Sequence, residues 1–156
     1  MNAIPLQTPH VSVLYHEILH ILCPQSPGKY VDATVGAGGH AWGILKESQP
    51  AGTLLGLDLD PQALEIASQR LAIFEGRYRL VQASYTTLTH QLQNIGWDQV
   101  NGILLDLGVS SMELDNPKRG FSFQAEGPLD MRFDPTNPTT AGDLVNHLTE
   151  AELSDM

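Results

Sequence analysis

Four short apolar runs, separated by helical patterns, constrain the fold of this chain more than any other feature. The runs are Tyr30–Val35, Thr53–Asp58, Tyr78–Gln82 and Val100–Asp106. Their centres, such as LLGL and ILL, are apolar almost throughout, which indicates strands covered on both faces by helices. The intervening patterns predict helices at Ala41–Glu47, Pro61–Phe74 and Thr86–Ile95. The sequence therefore predicts an α/β fold with a doubly wound, mostly parallel sheet, of which four strands are present.

The stretch DATVGAGGH, from Asp32 to His40, follows the first apolar run and places three glycines within four positions. A phosphate-binding P-loop needs a lysine after its last glycine, and His40 stands there instead, so that interpretation fails. A dinucleotide fingerprint fits better, because GAGGHA, which starts at Gly36, has its spacing and Asp58 follows about 20 residues later. A tight turn that binds no ligand also stays open.

S-adenosylmethionine is the third candidate ligand of this loop, since it carries a sulfonium and an ammonium group instead of a pyrophosphate. In this architecture ligands bind at the carboxyl ends of the strands. Carboxylates expected at that edge would repel a pyrophosphate and attract a cation; they belong to Asp32, Asp58, Asp60 and Asp106. We therefore predict that S-adenosylmethionine binds through the ribose contacts of Asp58 and the backbone amides of Gly38, Gly39 and His40.

Net charge and cysteine content restrict the other functions open to the chain. The formal charge of −10 argues against a surface that binds nucleic acid by phosphate neutralisation alone. The single cysteine, Cys23, excludes an internal disulfide, and the N-terminus lacks a secretory pattern, so we expect a cytoplasmic protein. No apolar run is long enough to span a bilayer.

The pentapeptide HEILH, His16 to His20, matches the zinc peptidase signature H-E-x-x-H. Pro24 ends the helix soon after His20, and no third ligand is evident on a following helix. We therefore expect no metal here, and instead a short N-terminal helix with the two histidines on its flank.

Four segments together resemble the RsmH (MraW) family of bacterial ribosomal RNA methyltransferases: HVSVLYHEIL, DATVGAGGH, GLDLDPQAL and ILLDLGVSSMELDNPKRGFSFQAEGPLDMRFDP. The resemblance implies a Rossmann-like class I methyltransferase fold with S-adenosylmethionine as cofactor. It also implies methylation of the exocyclic N4 of a cytidine in the decoding region of 16S ribosomal RNA. The implied partner is 16S rRNA in the small ribosomal subunit, with no membrane and no metal.

The resemblance also implies roles for individual residues. Gly38, Gly39 and His40 would hold the methionine portion of the cofactor, Asp58 its ribose and Tyr85 its adenine. Asp106 would lie beside the transfer site. Glu113 stands where the family commonly has glutamine, so a hydrogen bond donated by that amide is lost here.

Methylation of an exocyclic amine has two physical requirements that the sequence can meet. The amine is a weak nucleophile because its lone pair is delocalised, so it must be oriented and must lose a proton, for which Asp106 is the natural acceptor. The base must also be splayed into a pocket, where aromatic rings stack on it. Phe121, Phe123 and Phe133 are candidates, although for any one of them the favoured alternative is that it anchors the long loop to the core.

Two arginines in the same loop also have two interpretations. Arg119 and Arg132 could contact RNA phosphates, or they could pair with nearby acids of the loop; these acids are Asp115, Asp130 and Asp134.

The resemblance divides the chain into an N-terminal half of the methyltransferase domain (1–106), a motif loop at the active site (107–139) and the start of an inserted helical substrate domain (140–156). Capping boxes at Thr140 with Asp143 and at Thr149 with Glu152 predict two helix starts, the second with few residues after it. We therefore expect the front portion of a longer protein.

Such a portion would leave ILLDL as an exposed apolar strand edge. We expect it to bind cofactor weakly, to associate, and to transfer little or no methyl on its own. The alternatives are an NAD-binding Rossmann domain and a non-catalytic remnant that binds RNA or a protein partner.

Overall fold

The computed structural model describes residues 12–156, apart from the side chain of Ser111. The described residues divide into two compact units, one ending at Asp106 and the other comprising Leu107–Met156. In this part of the chain no helix is both long and apolar enough to cross a membrane.

The first unit contains a four-stranded parallel sheet in the order β3-β2-β1-β4. Its strands are β1 (Lys29–Asp32), β2 (Thr53–Asp58), β3 (Tyr78–Gln82) and β4 (Gly102–Leu104). Its helices are α1 (Tyr15–Leu22), α2 (Gly39–Glu47), α3 (Pro61–Leu71) and α4 (Leu88–Asn94). The predicted α/β fold is confirmed. The direction of winding reverses between β1 and β4, which makes the carboxyl ends of these two strands the topological switch point.

Both faces of the sheet are covered at β1 and β2, as the apolar run LLGL predicts, whereas Ile103 and Leu105 of the run ILL, at the β4 edge, are 46% and 48% exposed. On one face Tyr30 and Leu54 pack with buried residues of α2 and α3, and α1 adds partly buried side chains. On the other face the neighbouring residues Val31 and Leu55 pack against side chains of α4 and the segment after it. Successive strand residues thus enter opposite cores, each fully buried aliphatic side chain contributing roughly 1.5–3 kcal/mol.

Strands β2 and β3 have the predicted bounds, whereas β1 ends at Asp32 rather than Val35 and β4 is shorter than Val100–Asp106. At the end of β1 the N–H of Thr34 donates to the Asp32 carboxylate at 3.4 Å. Aspartate commonly redirects a chain in this way, so β1 gives way to a turn before its apolar run is complete.

Two of the predicted helices, Pro61–Phe74 and Thr86–Ile95, are each α-helical over only part of their length and have a 3₁₀ turn at one end. Helix α3 stops at Leu71 and continues as the 3₁₀ turn Ala72–Phe74, and a second 3₁₀ turn, Tyr85–Thr87, precedes α4. Such turns are frequent at helix termini. At the start of α3 the Asp60 carboxylate accepts a hydrogen bond from the N–H of Gln62 at 2.8 Å. This capping contact fixes the entry of α3 directly beside the end of β2.

The guanidinium of Arg77 closes the end of α2. It donates to the carbonyl oxygens of Leu45 at 2.7 Å and Gly52 at 2.8 Å, and more weakly to that of Ser48 at 3.3 Å. A cation is favourable there because the last carbonyls of a helix lack intrahelical partners.

We expect Arg77→Ala to lower the free energy of unfolding by about 1.5–3 kcal/mol, the usual cost of losing hydrogen bonds made by a charged group. Urea titration of the purified chain measures the effect. Arg79, an exposed arginine in β3, is the matched control, and Arg79→Ala should change stability by less than about 0.5 kcal/mol. Equal midpoints for the two variants would contradict the assignment.

The second unit contains three short helices, α5 (Ser111–Leu114), α6 (Ala141–His147) and α7 (Glu150–Ser154). Both predicted capping boxes are formed, at Thr140 before α6 and at Thr149 before α7. The long polar segment is ordered by its own backbone contacts: Met131 donates to Arg119, and Gly142 donates to Leu129. These contacts explain how a segment with so few regular elements keeps a defined shape.

Candidate active site

The glycine loop is shaped by two residues with left-handed backbone angles. Gly36 has φ 50° and Gly38 has φ 76°, values that favour glycine. The N–H of Gly36 donates to the carboxylate of Asp58 at 2.8 Å, which ties the loop to the end of β2. A Cβ on Gly38 would lie 3.2 Å from Ala67 in α3. The loop therefore needs glycine both for its conformation and for its close approach to α3.

Of the three amides predicted to hold the cofactor, that of Gly38 is already engaged within the turn. Its N–H donates to the carbonyl oxygen of Val35 at 2.8 Å. Gly39 and His40 are the first two residues of α2, where backbone N–H groups have no intrahelical acceptor. The structure therefore leaves Gly39 and His40 as the better placed donors for a ligand, while Gly38 sets the direction in which they point.

Asp32, the last residue of β1, is a buried carboxyl group in this loop. Only 1% of its surface is exposed, and its Oδ2 atom has no hydrogen-bond partner among the described residues. Burial raises the pKa of Asp32 to about 7, and repulsion from Asp58 and Asp106 adds to the shift. Asp58 and Asp106 are thus each close enough to repel Asp32, and Asp60 caps α3.

Asp58 lies at the end of β2 and is partly exposed. One of its oxygens accepts from the N–H of Gly36 and the other from the N–H of Asp60, at 2.8 and 2.9 Å. These bonds fix the orientation of the carboxylate. Because each carboxylate oxygen can accept more than one hydrogen bond, the group retains the capacity to bind a ribose diol.

Asp106 lies two residues beyond β4, across the switch point from Asp32. Its backbone N–H donates to the hydroxyl of Thr34 at 2.8 Å, and 49% of its side chain is exposed. Its Oδ2 atom lies 3.6 Å from Nε2 of His40. The glycine loop therefore holds Asp106 through Thr34, a contact that the sequence analysis missed because nothing in DATVGAGGH distinguishes this threonine from a packing residue.

The imidazole of His40 is only 6% exposed and stacks on the ring of Tyr15 in α1, with 6.0 Å between ring centroids. Burial lowers the pKa of His40, and the charge of Asp106 opposes this effect. Neither ring nitrogen has a hydrogen-bond partner in the part of the chain that the structure describes. The sequence predicts that His40 binds the cofactor, but no spacing in it indicates that this side chain lies beside Asp106.

The remaining predicted cofactor residues lie in different units. Tyr85 begins the 3₁₀ turn after β3 and is partly exposed, and Ser84 caps that turn. Glu113 belongs to the second unit, where its Oε2 atom accepts from the N–H of Ser110 at 2.7 Å and its own N–H donates to the Ser110 hydroxyl. Glutamate at this position therefore serves a local helix cap, and its contact with a cofactor stays a prediction.

The aromatic residues of the second unit have different surroundings. Phe121 is buried and its ring lies 5.1 Å from that of Phe133, so these two rings anchor the loop. Phe123 is fully exposed. Phe133 is 39% exposed, so of the three predicted stacking residues Phe123 has the ring most accessible to a base.

Arg119 and Arg132 stabilise the loop that carries these phenylalanines. Arg132 forms a two-point ion pair with Asp130 at 2.7 and 2.8 Å, and this pairing lowers the pKa of Asp130 to about 2. Arg119 donates to the carbonyl oxygens of Arg132 and Phe133. The pairing alternative thus describes Arg132.

The HEILH histidines lie on α1, the predicted short N-terminal helix, with His16 and His20 both exposed. Within residues 12–156 no group of three or more histidine, cysteine, aspartate or glutamate side chains could hold a metal ion.

Comparison with known proteins identifies relatives along the whole described chain. The sequence profile described as the MraW methylase family matches residues 7–156. Ribosomal RNA small subunit methyltransferase H of Geobacter sp. (strain M21) is 49% identical over 144 residues, which cover 92% of this chain and 46% of that protein. The protein of the same name from Sorangium cellulosum (strain So ce56) is 45% identical over 166 residues, covering 100% and 52%. The chain spans about half the length of the curated relatives it matches.

Solved structures support the fold alone. An rRNA methylase from Streptococcus thermophilus has a TM-score of 0.50 at 22% identity, covering 72% of this chain and 62% of its own. The C-terminal domain of precorrin-6Y C5,15-methyltransferase from Rhodobacter capsulatus has a TM-score of 0.54 at 14% identity, covering 70% and 57%. Both are methyltransferases by name, and the sheet described above is of the Rossmann-like class I type.

Proposed function

The chain belongs to the MraW methylase family, and on this premise we propose that it forms the cofactor-binding part of an S-adenosylmethionine-dependent methyltransferase that modifies ribosomal RNA of the small subunit. The relatives named above carry this activity in their names. The finer proposal is methylation of the exocyclic N4 of a cytidine in the decoding region of 16S rRNA, as the family resemblance implies.

One observation carries the choice of cofactor: Asp32, a buried carboxyl group whose Oδ2 atom has no hydrogen-bond partner among the described residues, lies with Asp58 and Asp106 around a glycine turn. A pyrophosphate would add negative charge to a place where carboxyl groups already repel one another. A ligand with a sulfonium and an ammonium group relieves that repulsion, so the residues present fit S-adenosylmethionine and do not fit NAD.

The residues that would hold this cofactor follow from the geometry. The first amides of α2, in Gly39 and His40, would donate to a ligand at the switch point, with Gly38 shaping the turn. Asp58 would take the ribose hydroxyls, and Tyr85, after β3, would lie against the adenine. When bound, S-adenosylmethionine supplies an electrophilic methyl group, to which the amine nitrogen bonds as the S–CH₃ bond breaks and its electron pair stays on sulfur.

Asp106 is the residue proposed to accept the proton of the reacting amine. It follows β4 at the switch point, its backbone is fixed by Thr34, and half of its side chain is accessible to a substrate. A positioned carboxylate of this kind orients the amine and removes its proton as the carbon–nitrogen bond forms.

The substrate proposal rests on the names of the relatives and on one exposed ring. The net charge of −10 indicates that phosphate neutralisation by this chain is weak. Base stacking does not depend on net charge, and Phe123 offers an accessible ring. We therefore propose that this chain contributes a stacking surface for the splayed base and that few of its contacts are with phosphates.

Calorimetric titration tests the cofactor proposal. We expect the chain to bind S-adenosylmethionine at least about tenfold more tightly than NAD, a difference of about 1.4 kcal/mol. Asp58→Ala should weaken the binding of S-adenosylmethionine, because it removes the acceptor proposed for the ribose hydroxyls. Asp98→Ala, which changes an exposed aspartate after α4, is the matched control and should leave it unchanged. Tighter binding of NAD would end the proposal.

A further inference from the structure

The side chain of His40 has no role in the function proposed so far, which uses only its backbone N–H. Yet the imidazole is almost completely buried, and neither of its nitrogens has a hydrogen-bond partner among the described residues. A buried polar group without a partner is costly, by about 1–3 kcal/mol. Such a cost is commonly found where a group takes part in chemistry.

The position of the ring explains what it could do. Its Nε2 atom lies 3.6 Å from Oδ2 of Asp106, slightly longer than a hydrogen bond, as is common for catalytic pairs before substrate binds. The ring is stacked on Tyr15, with an angle of 18° between the two planes, so it cannot turn freely. Thr34 fixes the backbone of Asp106 on the other side. Both members of the pair are therefore held in place.

We propose that His40 and Asp106 form a proton relay, in which Asp106 takes the proton released by the methylated amine and passes it to Nε2 of His40. The proposal rests on the proposed function for the source of that proton. Burial favours the uncharged imidazole in the resting protein, so Nε2 is free to accept when the proton is on Nδ1.

The proton balance of the relay is complete within these two residues. The amine nitrogen, on bonding to the methyl carbon, loses one proton to the Asp106 carboxylate. The resulting carboxylic acid gives that proton to Nε2 of His40, which leaves a carboxylate beside an imidazolium. Release of the proton to solvent after product leaves restores the neutral ring. His40 acts through Asp106 and is therefore a positioning residue.

The relay gives the proton on Asp106 an acceptor when a bound substrate covers the exposed part of that side chain. In the free protein a proton on Asp106 can leave to water, because 49% of the side chain is exposed. A nucleobase held against Asp106 for transfer would cover that exposed side. The buried imidazole behind Asp106 then accepts the proton while the substrate is still bound, so that Asp106 is a carboxylate again before product leaves.

Other ionisable groups lie on every element packed against α2. They include Tyr15 in α1, Arg70 in α3, Asp32 at the end of β1, Asp58 at the end of β2 and Asp106 after β4. Burial raises the pKa of Tyr15 above its ordinary value of 10.0, so its phenol stays neutral while histidine titrates. The charge of Asp106 is the one that raises the pKa of His40.

The pairing can be tested on this chain without cofactor or RNA, by following the imidazole resonances of His40 by NMR as pH is changed. In Asp106→Asn the pKa of His40 should fall, because the charge that opposes the effect of burial is gone. The signals of His90, in α4, serve as the internal reference and should be unaffected by the substitution. An unchanged titration of His40 would overturn the relay, whatever the cofactor titration gives.

Kinetics supply the second readout, in a protein that spans the full family length. In His40→Gln the ring is lost and the backbone N–H is kept, so we expect kcat for methyl transfer to fall at least about tenfold with little change in KM for the methyl donor. The pH–rate profile should also lose the limb contributed by histidine. His20→Gln, on the exposed face of α1, is the control. An unaltered kcat or profile in His40→Gln would overturn the relay.

Discussion

Replacement of Asp106 by asparagine is expected to lower methyl transfer by about 10²- to 10⁴-fold, the usual contribution of a positioned general base. Asparagine has nearly the same shape but cannot accept a proton from the amine. The backbone N–H that Asp106 donates to Thr34 is kept in the variant, so the end of β4 should stay in position. Transfer of labelled methyl groups to small ribosomal subunits, by a protein that spans the full family length, measures the loss.

The same assay separates a catalytic loss from a structural one. Asp98→Asn changes an exposed aspartate far along the chain from the glycine loop and should transfer methyl at the original rate. Calorimetry on the Asp106→Asn variant should show that S-adenosylmethionine still binds, because Asp58 and the first amides of α2 are unaltered. Undiminished transfer by Asp106→Asn would remove Asp106 from the mechanism.

The layered architecture could be predicted from the sequence because its signal is local. The run LLGL is apolar at successive positions, and a strand covered on both faces buries every such residue, as β2 does. The run ILL gives the same signal, but β4 lies at the edge of the sheet, and its Ile103 and the following Leu105 are about half exposed. The precise ends of β1 could not be predicted, since Val35 is as apolar as Val31. The end of β1 depends on the hydrogen bond between Thr34 and Asp32, two residues apart in the chain. Hydrophobic periodicity carries no information about that bond.

The residue types of the candidate site could be predicted from the sequence, whereas most of the contacts between those residues could not. Carboxylates that follow apolar strands must meet at one edge of a parallel sheet, which is why Asp32, Asp58 and Asp106 could be grouped beforehand. Asp60 also lies at the end of β2, where its N–H donates to Asp58 and its carboxylate caps α3. The approach of His40 to Asp106 depends on the packing of α1, α2 and β4 together, and no sequence spacing encodes it.

In the second unit, too, features set by neighbouring residues were predictable, and the contacts made by the arginines were not. Both capping boxes were predictable because each needs only residues three apart. The roles of the arginines were left open, since contact with phosphate and pairing with an acid use the same donors. Only the folded loop shows that Arg132 pairs with Asp130 and that Arg119 supports the backbone beside it.

The stability of the protein is expected to depend on pH through Asp32. Burial, with repulsion from Asp58 and Asp106, raises its pKa from 3.8 to about 7. Between these two values the folded protein keeps a proton that the unfolded chain has released, so the folded state loses relative stability as pH rises through this window. Below about pH 4 both states hold the proton, and above about pH 7 both have lost it. The full shift corresponds to on the order of 4 kcal/mol.

Asp32→Asn removes this dependence, because the amide is neutral at every pH and can still accept the N–H of Thr34. The variant should therefore gain stability relative to the original protein as pH rises, by roughly 3 kcal/mol between about pH 5 and pH 8. Urea titrations of both proteins across that range measure the difference, and other carboxyl groups cancel because both proteins contain them. If the free energies of unfolding of the two proteins change in parallel with pH, Asp32 is charged in the free protein. A stability difference that widens with pH would show that Asp32 holds a proton in the free protein. When the cationic methyl donor binds, its positive charge would take the place of that proton.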